Sequence, residues 1–348
     1  MSWLDDDTDD EEDRYADYEA KTRPNPKGNR ARTKTRPEHS DAVTGRVLTV
    51  DRGRYTVLVG ENSEVEHVAT ASRASELRKQ PIVTGDRVDL VGDTTGDDGS
   101  LSRIVRIQPR VTVLRRSADD SDEVERIIVA NADQMLIVVA AANPEPRPRL
   151  VDRYLVAAFD AGIAPILCIT KTDLADPAEF LANFASLDIV VVTSGLDATP
   201  TDEIMGLLAG HTTVAVGHSG VGKSTLVNAL VPDANRAIGR VNTVTGRGRH
   251  TSSSTISYRV GADRDDGGGW IIDTPGVRSF GLGHVNPDNI LRSFTDLAAI
   301  AEDCPRGCTH LPDAPDCALD ERINDADELG EAGKLRLDSF QRMLASLS

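Results

Sequence analysis

The sequence predicts a multidomain α/β protein: a small N-terminal β-barrel, a parallel α/β domain, and a short helical domain built on a metal-type cluster. Three observations point there. Residues 42–116 break into five short alternating runs rich in β-branched residues. From about residue 124 to 283, near-continuous apolar runs alternate with helical segments. Near the end, three Cys and one His fall within fourteen residues. Apolar residues at 39% and charged residues at 27% allow a buried core, and exclude membrane, collagen-like and disulfide-scaffold classes. The longest apolar run, Met135 to Ala142, is far below the ~18 residues of a membrane helix. Met1-Ser2-Trp3-Leu4 followed by acidic residues is unlike a secretory signal. A cytoplasmic protein without membrane association is the expectation.

Residues 1–40 read as a disordered arm. An acidic tip spans 5–20, and 21–40 carries seven Lys or Arg, one Glu and three Pro. The arm either solubilises the chain or finds phosphate. The net charge of −17 argues against indiscriminate nucleic-acid binding, so an RNA contact must be local.

Residues 41–116 hold strands at Val43–Val50, Tyr55–Val59, Val65–Val68, Val83–Val91 and Leu101–Ile107, with Gly and Asp turns between. Five strands in this length fit a small closed barrel, the OB-fold being a common nucleic-acid-binding example. Tyr55 is the one clear aromatic there, so no stacking platform is visible.

Residues 117–283 hold strands at Gln134–Ala140, Pro165–Ile169, Asp188–Val192, Thr212–Val216 and Trp270–Ile272. Helical segments at Pro148–Ala161, Pro177–Ser186, Thr201–Ala209 and Lys223–Leu230 separate them. Directly after Val216 comes Gly217-His218-Ser219-Gly220-Val221-Gly222-Lys223-Ser224, with Thr225 opening into the helix. This matches the phosphate-loop pattern between strand and helix, where glycines turn backbone N–H groups onto phosphate oxygens. Lys223 is placed to neutralise β and γ phosphates, and Ser224 to give its hydroxyl to Mg²⁺. Asp273-Thr-Pro-Gly276, after the strand ending at Ile272, reads as the second phosphate and metal element.

A base-reading pair precedes the loop. Thr170-Lys171-Thr172-Asp173 resembles the N-K-x-D guanine signature, with Thr170 where Asn is usual. The Asp173 carboxylate accepts from guanine N1–H and its amine, which adenine cannot offer, and an unpaired buried acceptor rejects the wrong base. Thr193-Ser194-Gly195 stands where the supporting backbone element belongs. The base motifs precede the phosphate loop, which precedes Asp273, so one site requires a circularly permuted domain. Val231–Ser254, rich in Gly, Arg, Thr and Ser, has the composition of a switch segment. Within it, Thr251 is the first choice for Mg²⁺. Val277 occupies the position where many relatives of Ras carry Gln, leaving His250 to orient water, with a structural or RNA-contacting role as its alternative.

Residues 284–348 contain Cys304, Cys308, His310 and Cys317, a set that suits tetrahedral Zn²⁺ and closes the site to water. Zinc there would supply folding energy to a module with little core of its own. Cys168 lies mid-strand and reads as a buried core residue.

Taken together, barrel, motif order and Cys/His site resemble the circularly permuted ribosome small subunit-dependent GTPases of the RsgA (YjeQ) type. The resemblance covers about residues 42–348. It implies an OB-fold, a circularly permuted P-loop GTPase domain and a zinc-binding helical domain. It implies a zinc-containing domain and a factor that binds the small ribosomal subunit late in assembly and hydrolyses GTP there. With the residues read above, the expectation is GTP or GDP with Mg²⁺, one structural Zn²⁺, His250 and Lys223 as catalytic residues, and a monomer. Barrel and zinc module would grip rRNA, and the subunit would stimulate hydrolysis. Thr170, the spacing around Cys308 and His310, and Thr251-Ser-Ser after His250 depart from the family pattern. Gly220 stands where potassium-activated GTPases place Asn. A GTP-gated RNA- or ribosome-binding module with negligible hydrolysis is the alternative; an ATPase is disfavoured by Asp173.

Overall fold

The computed structural model describes residues 39–77, 80–117, 125–196, 199–232, 255–261, 268–274, 280 and 282–347. The chain divides into two units, Met1–Ser40 and Asp41–Ser348. The expected acidic and basic arm, through residue 38, lies outside the described residues.

The second unit begins with β1 (Val43–Asp51), β2 (Arg54–Val59), β3 (His67–Arg73), β4 (Arg87–Gly92) and β5 (Ser102–Ile107). They run β1-β2-β3-β5-β4, and β1–β4 pairing closes the barrel. β3 and β5 are parallel and the other barrel pairs antiparallel. Val47, Val57, Val88, Leu90 and Ile104 fill it completely buried. The third strand starts later than the β-branched pattern suggests, because its buried face is Ala69 and Ala71. Small residues there leave room in a narrow barrel but carry little β propensity. A hairpin of β6 (Val113–Ser117) and β7 (Glu125–Ala130) follows.

The barrel sheet continues, through pairing of β1 with β12, into an α/β part that contains β8 (Gln134–Ala140), β9 (Ala164–Thr170), β10 (Val190–Ser194), β11 (Thr212–Val216), β12 (Ile256–Val260) and β13 (Gly269–Asp273). Its order is β10-β9-β8-β11-β13-β12, parallel except for antiparallel β12. The helices are α1 (Pro148–Asp160), α2 (Ala178–Ala182), α3 (Thr201–Leu208) and α4 (Lys223–Leu230). Strand alternation splits the core: Met135, Ile137 and Val139 join α1 on one face, while Leu136, Val138 and Ala140 join α3 and α4 on the other. Apolar residues thus face both ways, as a sheet covered on both sides requires.

Beyond the sheet lie α5 (Pro287–Arg292), α6 (Thr295–Ala301), a π-turn at Asp320–Asp325 and α7 (Gly330–Ala345). Phe340 and Met343 of α7 are fully buried in the same cluster as α1. Arg342 donates to buried Asp152 at 3.0 Å and to the Asn183 carbonyl at 3.0 Å, tying α7 to the α/β domain. Among the described residues, no helix is long and apolar enough to cross a membrane.

Candidate functional site

The site forms at the carboxyl ends of β8, β9, β10, β11 and β13, where open α/β sheets bind ligands. All five residues of β11 are buried, and the chain leaves it through Gly217. A Cβ there would stand 2.5 Å from the Val138 carbonyl of β8, so only glycine allows the loop to start this close to the sheet. The loop closes with Gly222 at φ 91° as the cap of α4, with no side chain bonding its first turn. The helix therefore presents its first N–H groups to the loop's concave side.

Lys223 is buried, and its ammonium pairs with the Asp273 carboxylate at the end of β13. Registry of Ala215 with Asp273 sets that pairing, and the Thr274 hydroxyl donates to the Ala215 carbonyl at 2.7 Å. Sequence reasoning missed β12 and with it Tyr258, whose phenol is pushed up to about 12 by burial and by the Asp273 charge. Ser224 and Thr225 are exposed on the first turn of α4, and His218 bonds the Ser219 carbonyl at 2.9 Å.

The base-reading segments meet this loop. Ser194 registers with Thr170 across the parallel β9–β10 pair, and Thr172 N–H donates to the Ser194 carbonyl at 3.3 Å. Asp173, exposed at the tip, accepts from Leu196 N–H at 2.9 Å, and a Cβ on Gly195 would sit 3.7 Å from its carboxylate. Thr193 is exposed beside them. Thr170 is buried and its hydroxyl donates to the Val221 carbonyl inside the phosphate loop. Lys171, at φ 57°, donates to the Gly220 carbonyl at 2.8 Å and to the Asn143 carbonyl. The Asn143 and Leu196 backbone groups were not foreseen, since a main-chain partner leaves no residue-type signature; Asn143 follows β8 and so belongs at the same crevice. Segments 170–173, 193–196 and 217–224 are thus brought together. His250, Thr251, Gly276 and Val277 lie outside the described residues, as does the expected switch from 233 to 254.

A second cluster lies between α6 and the π-turn. The ligand atoms of Cys304, Cys308, His310 and Cys317 lie within 4.8 Å of one another. Cys304 Sγ and Cys317 Sγ stand 3.6 and 3.8 Å from His310 Nδ1. A tetrahedron with Zn–S near 2.3 Å has edges of about 3.7 Å, so the donor set fits Zn²⁺ in chemistry and in size. Burial pushes the Cys304 and Cys317 thiols up and the His310 imidazole down; imidazole must be neutral to bind a metal. His310 N–H donates to Cys308 Sγ at 3.4 Å, while Gln341 of α7 donates to the His310 carbonyl at 3.1 Å. Cys168 is a fully buried core residue, its thiol pushed up to about 12 by burial.

The model of the RsgA GTPase family matches residues 107–283. The Small ribosomal subunit biogenesis GTPase RsgA of Pseudomonas aeruginosa (strain LESB58) is 37% identical over 305 residues, covering 85% of each chain. Its namesake in Pseudomonas fluorescens (strain SBW25) is 36% identical over 296 residues, covering 82% of this chain and 81% of the relative. Among solved structures, YjeQ from Thermotoga maritima aligns with TM-score 0.62 at 24% identity, over 88% of this chain and 98% of its own. YloQ, described as a circularly permuted GTPase, aligns with TM-score 0.60 at 23% identity, over 90% and 97%. These two structures share the fold of this chain. Sequence identity and family model together place this chain in the RsgA GTPase family.

Proposed function

We propose that this chain is a cytoplasmic GTP hydrolase acting in biogenesis of the small ribosomal subunit, as its relatives are named. One observation carries the nucleotide reading: Thr170 and Lys171 of the base-reading segment bond the Val221 and Gly220 carbonyls of the phosphate loop. Base and phosphate elements so joined lie side by side at one crevice. Asp173 would accept from the guanine edge, backed by Thr172, Thr193, Ser194 and Gly195. Residues 217–225 would wrap the phosphates, and Lys223, oriented by Asp273, would neutralise them as charge builds on the leaving group. His250 would orient the attacking water, and Gly276 N–H would reach the γ-phosphate. The exposed hydroxyl of Ser224 and the nearby Asp273 carboxylate are hard oxygen donors that suit Mg²⁺, and Ser224 with Thr251 would hold it. Bound Mg²⁺ would neutralise phosphate charge. Structural Zn²⁺ would sit on Cys304, Cys308, His310 and Cys317.

The small subunit is the proposed partner, met by a monomer through rRNA. Exposed Arg52, Arg54 and Arg103 favour the barrel as the RNA face. Residues 302–331 of the zinc module carry ten Asp or Glu against two Arg, which disfavours phosphate contact there. The GTP-gated module with negligible hydrolysis is the second reading; Val277 in place of Gln favours slow turnover in isolation, which both readings accommodate. Phosphate release from GTP, with and without small subunits, separates the two. Stimulation supports a subunit-activated hydrolase, whereas indifference supports the gated module. Equal binding of ATP and GTP would overturn both.

A further inference from the structure

We propose that Arg46 and Glu61 of the barrel are positioning residues for the GTPase site, setting the relative placement of the two strands that carry its phosphate groups. The inference rests on the nucleotide site proposed above. Thr212 and Trp270 are registered partners at the starts of β11 and β13. Arg46 donates to the Thr212 hydroxyl at 3.2 Å, and its guanidinium lies 4.8 Å from the centre of the Trp270 ring. The Trp270 indole N–H donates to Glu61 at 2.8 Å. Glu61 pairs with Arg46 at 3.2 Å and also with Arg87, so one barrel carboxylate ties both strand starts together.

The other ends of the same strands form the site. β11 ends at Val216 and releases the phosphate loop, and β13 ends at Asp273, the partner of Lys223. Trp270 and Asp273 are three residues apart, about 10 Å along a strand. A shift at the start of one strand is passed on by a rigid, paired backbone. Neighbouring contacts strengthen the grip. Thr49 of β1 registers with Ile256 of β12, and Ile256 registers with Asp273. Arg259 of β12 pairs with Glu66 at 2.9 Å and bonds Asn62.

The chemistry of the joint favours positioning over simple adhesion. The Arg46 and Glu61 side chains are only 8% and 10% exposed. A buried ion pair adds little stability over apolar residues of the same volume, but it holds one geometry and penalises others. Bound nucleotide orders the phosphate loop by itself, so loss of the joint should act on turnover more than on affinity.

The test measures kcat and KM for GTP and the Kd for GDP in wild type, Glu61→Ala, Glu61→Gln and Trp270→Phe. Glu61→Ala should lower kcat about tenfold with KM and Kd held within about twofold. Glu61→Gln, which keeps an acceptor for the Trp270 N–H, should recover most of that loss. Trp270→Phe, which loses the N–H donor and shrinks the ring while keeping an aromatic face for Arg46, should fall between. A wild-type kcat in folded Glu61→Ala overturns the proposal. Should that variant fail to fold, a wild-type kcat in Trp270→Phe overturns it. Wild-type protein that binds no GDP overturns the nucleotide reading instead, and the titration reports that separately.

Discussion

The ammonium of Lys171 donates to the carbonyl of Gly220 at 2.8 Å, across 49 positions of sequence. Through it, the segment expected to read a base braces the segment expected to hold phosphates. Both lie at strand ends on one edge of the sheet, so the shuffled order of motifs costs the pocket nothing.

Asp173 is exposed and one of its carboxylate oxygens accepts from Leu196 N–H. Asp173→Asn exchanges an acceptor for a donor at the guanine edge. GDP affinity should fall about 100-fold, while xanthosine diphosphate, with a carbonyl in place of the amine, should gain. Titration calorimetry with both nucleotides checks this.

Thr170→Val keeps shape and removes the hydroxyl that satisfies the Val221 carbonyl. Stranding that acceptor costs about 1–3 kcal/mol, felt as weaker GDP binding. Thr170→Ser should restore affinity. Equal affinity in the Val variant would show that the phosphate loop holds its shape unaided.

His250→Ala should cut GTP turnover by about 100-fold with GDP binding unchanged, the loss typical of a missing proton-handling or water-orienting group. Single-turnover hydrolysis with small subunits measures it. Unchanged turnover removes His250 from the mechanism.

Chelation of metal, or Cys308→Ser, should loosen the segment from Cys304 to Cys317, which the Cys/His cluster draws together, while Leu319 and Ile323 stay anchored in the main core. A lowered melting temperature that Zn²⁺ restores is the expected result. GDP binding should persist, since none of the four ligands touches the phosphate loop.

Burial pushes the Glu61 carboxyl up, but the Arg46 and Arg87 charges outweigh it and hold its pKa below the usual value. Arg46 is itself pulled down by burial and by Arg87, yet a guanidinium so paired stays charged. A depressed folded pKa contributes stability that is present above the unfolded value, near 4.3, and lost as pH falls through the folded one. Wild-type stability should therefore drop below about pH 4.5, and Glu61→Gln should flatten that part of the profile. Urea melts between pH 3 and 6 provide the comparison.

Much of the fold was legible because buried parallel strands are continuous apolar runs. β8, β11 and α4 have the bounds the sequence suggests. β12 was missed because Ile256–Val260 includes Ser257 and Arg259 and follows a low-complexity stretch. The β6–β7 hairpin hid behind Arg115, Arg116 and Arg126. Glycine and lysine motifs, which include Val221, announced the site, but Asn143 and Leu196 take part through backbone atoms that any residue carries. The Arg46–Glu61–Trp270 joint spans 209 positions from Glu61 to Trp270, and nothing local marks those residues as partners.

Phe340 and Met343 of α7 sit in the same apolar cluster as Leu114 and Tyr154. A nascent chain emerging in order therefore cannot seal that cluster until α7 has left the exit tunnel. Until then, apolar faces of α1 and β8 stay open to chaperones and to misassembly.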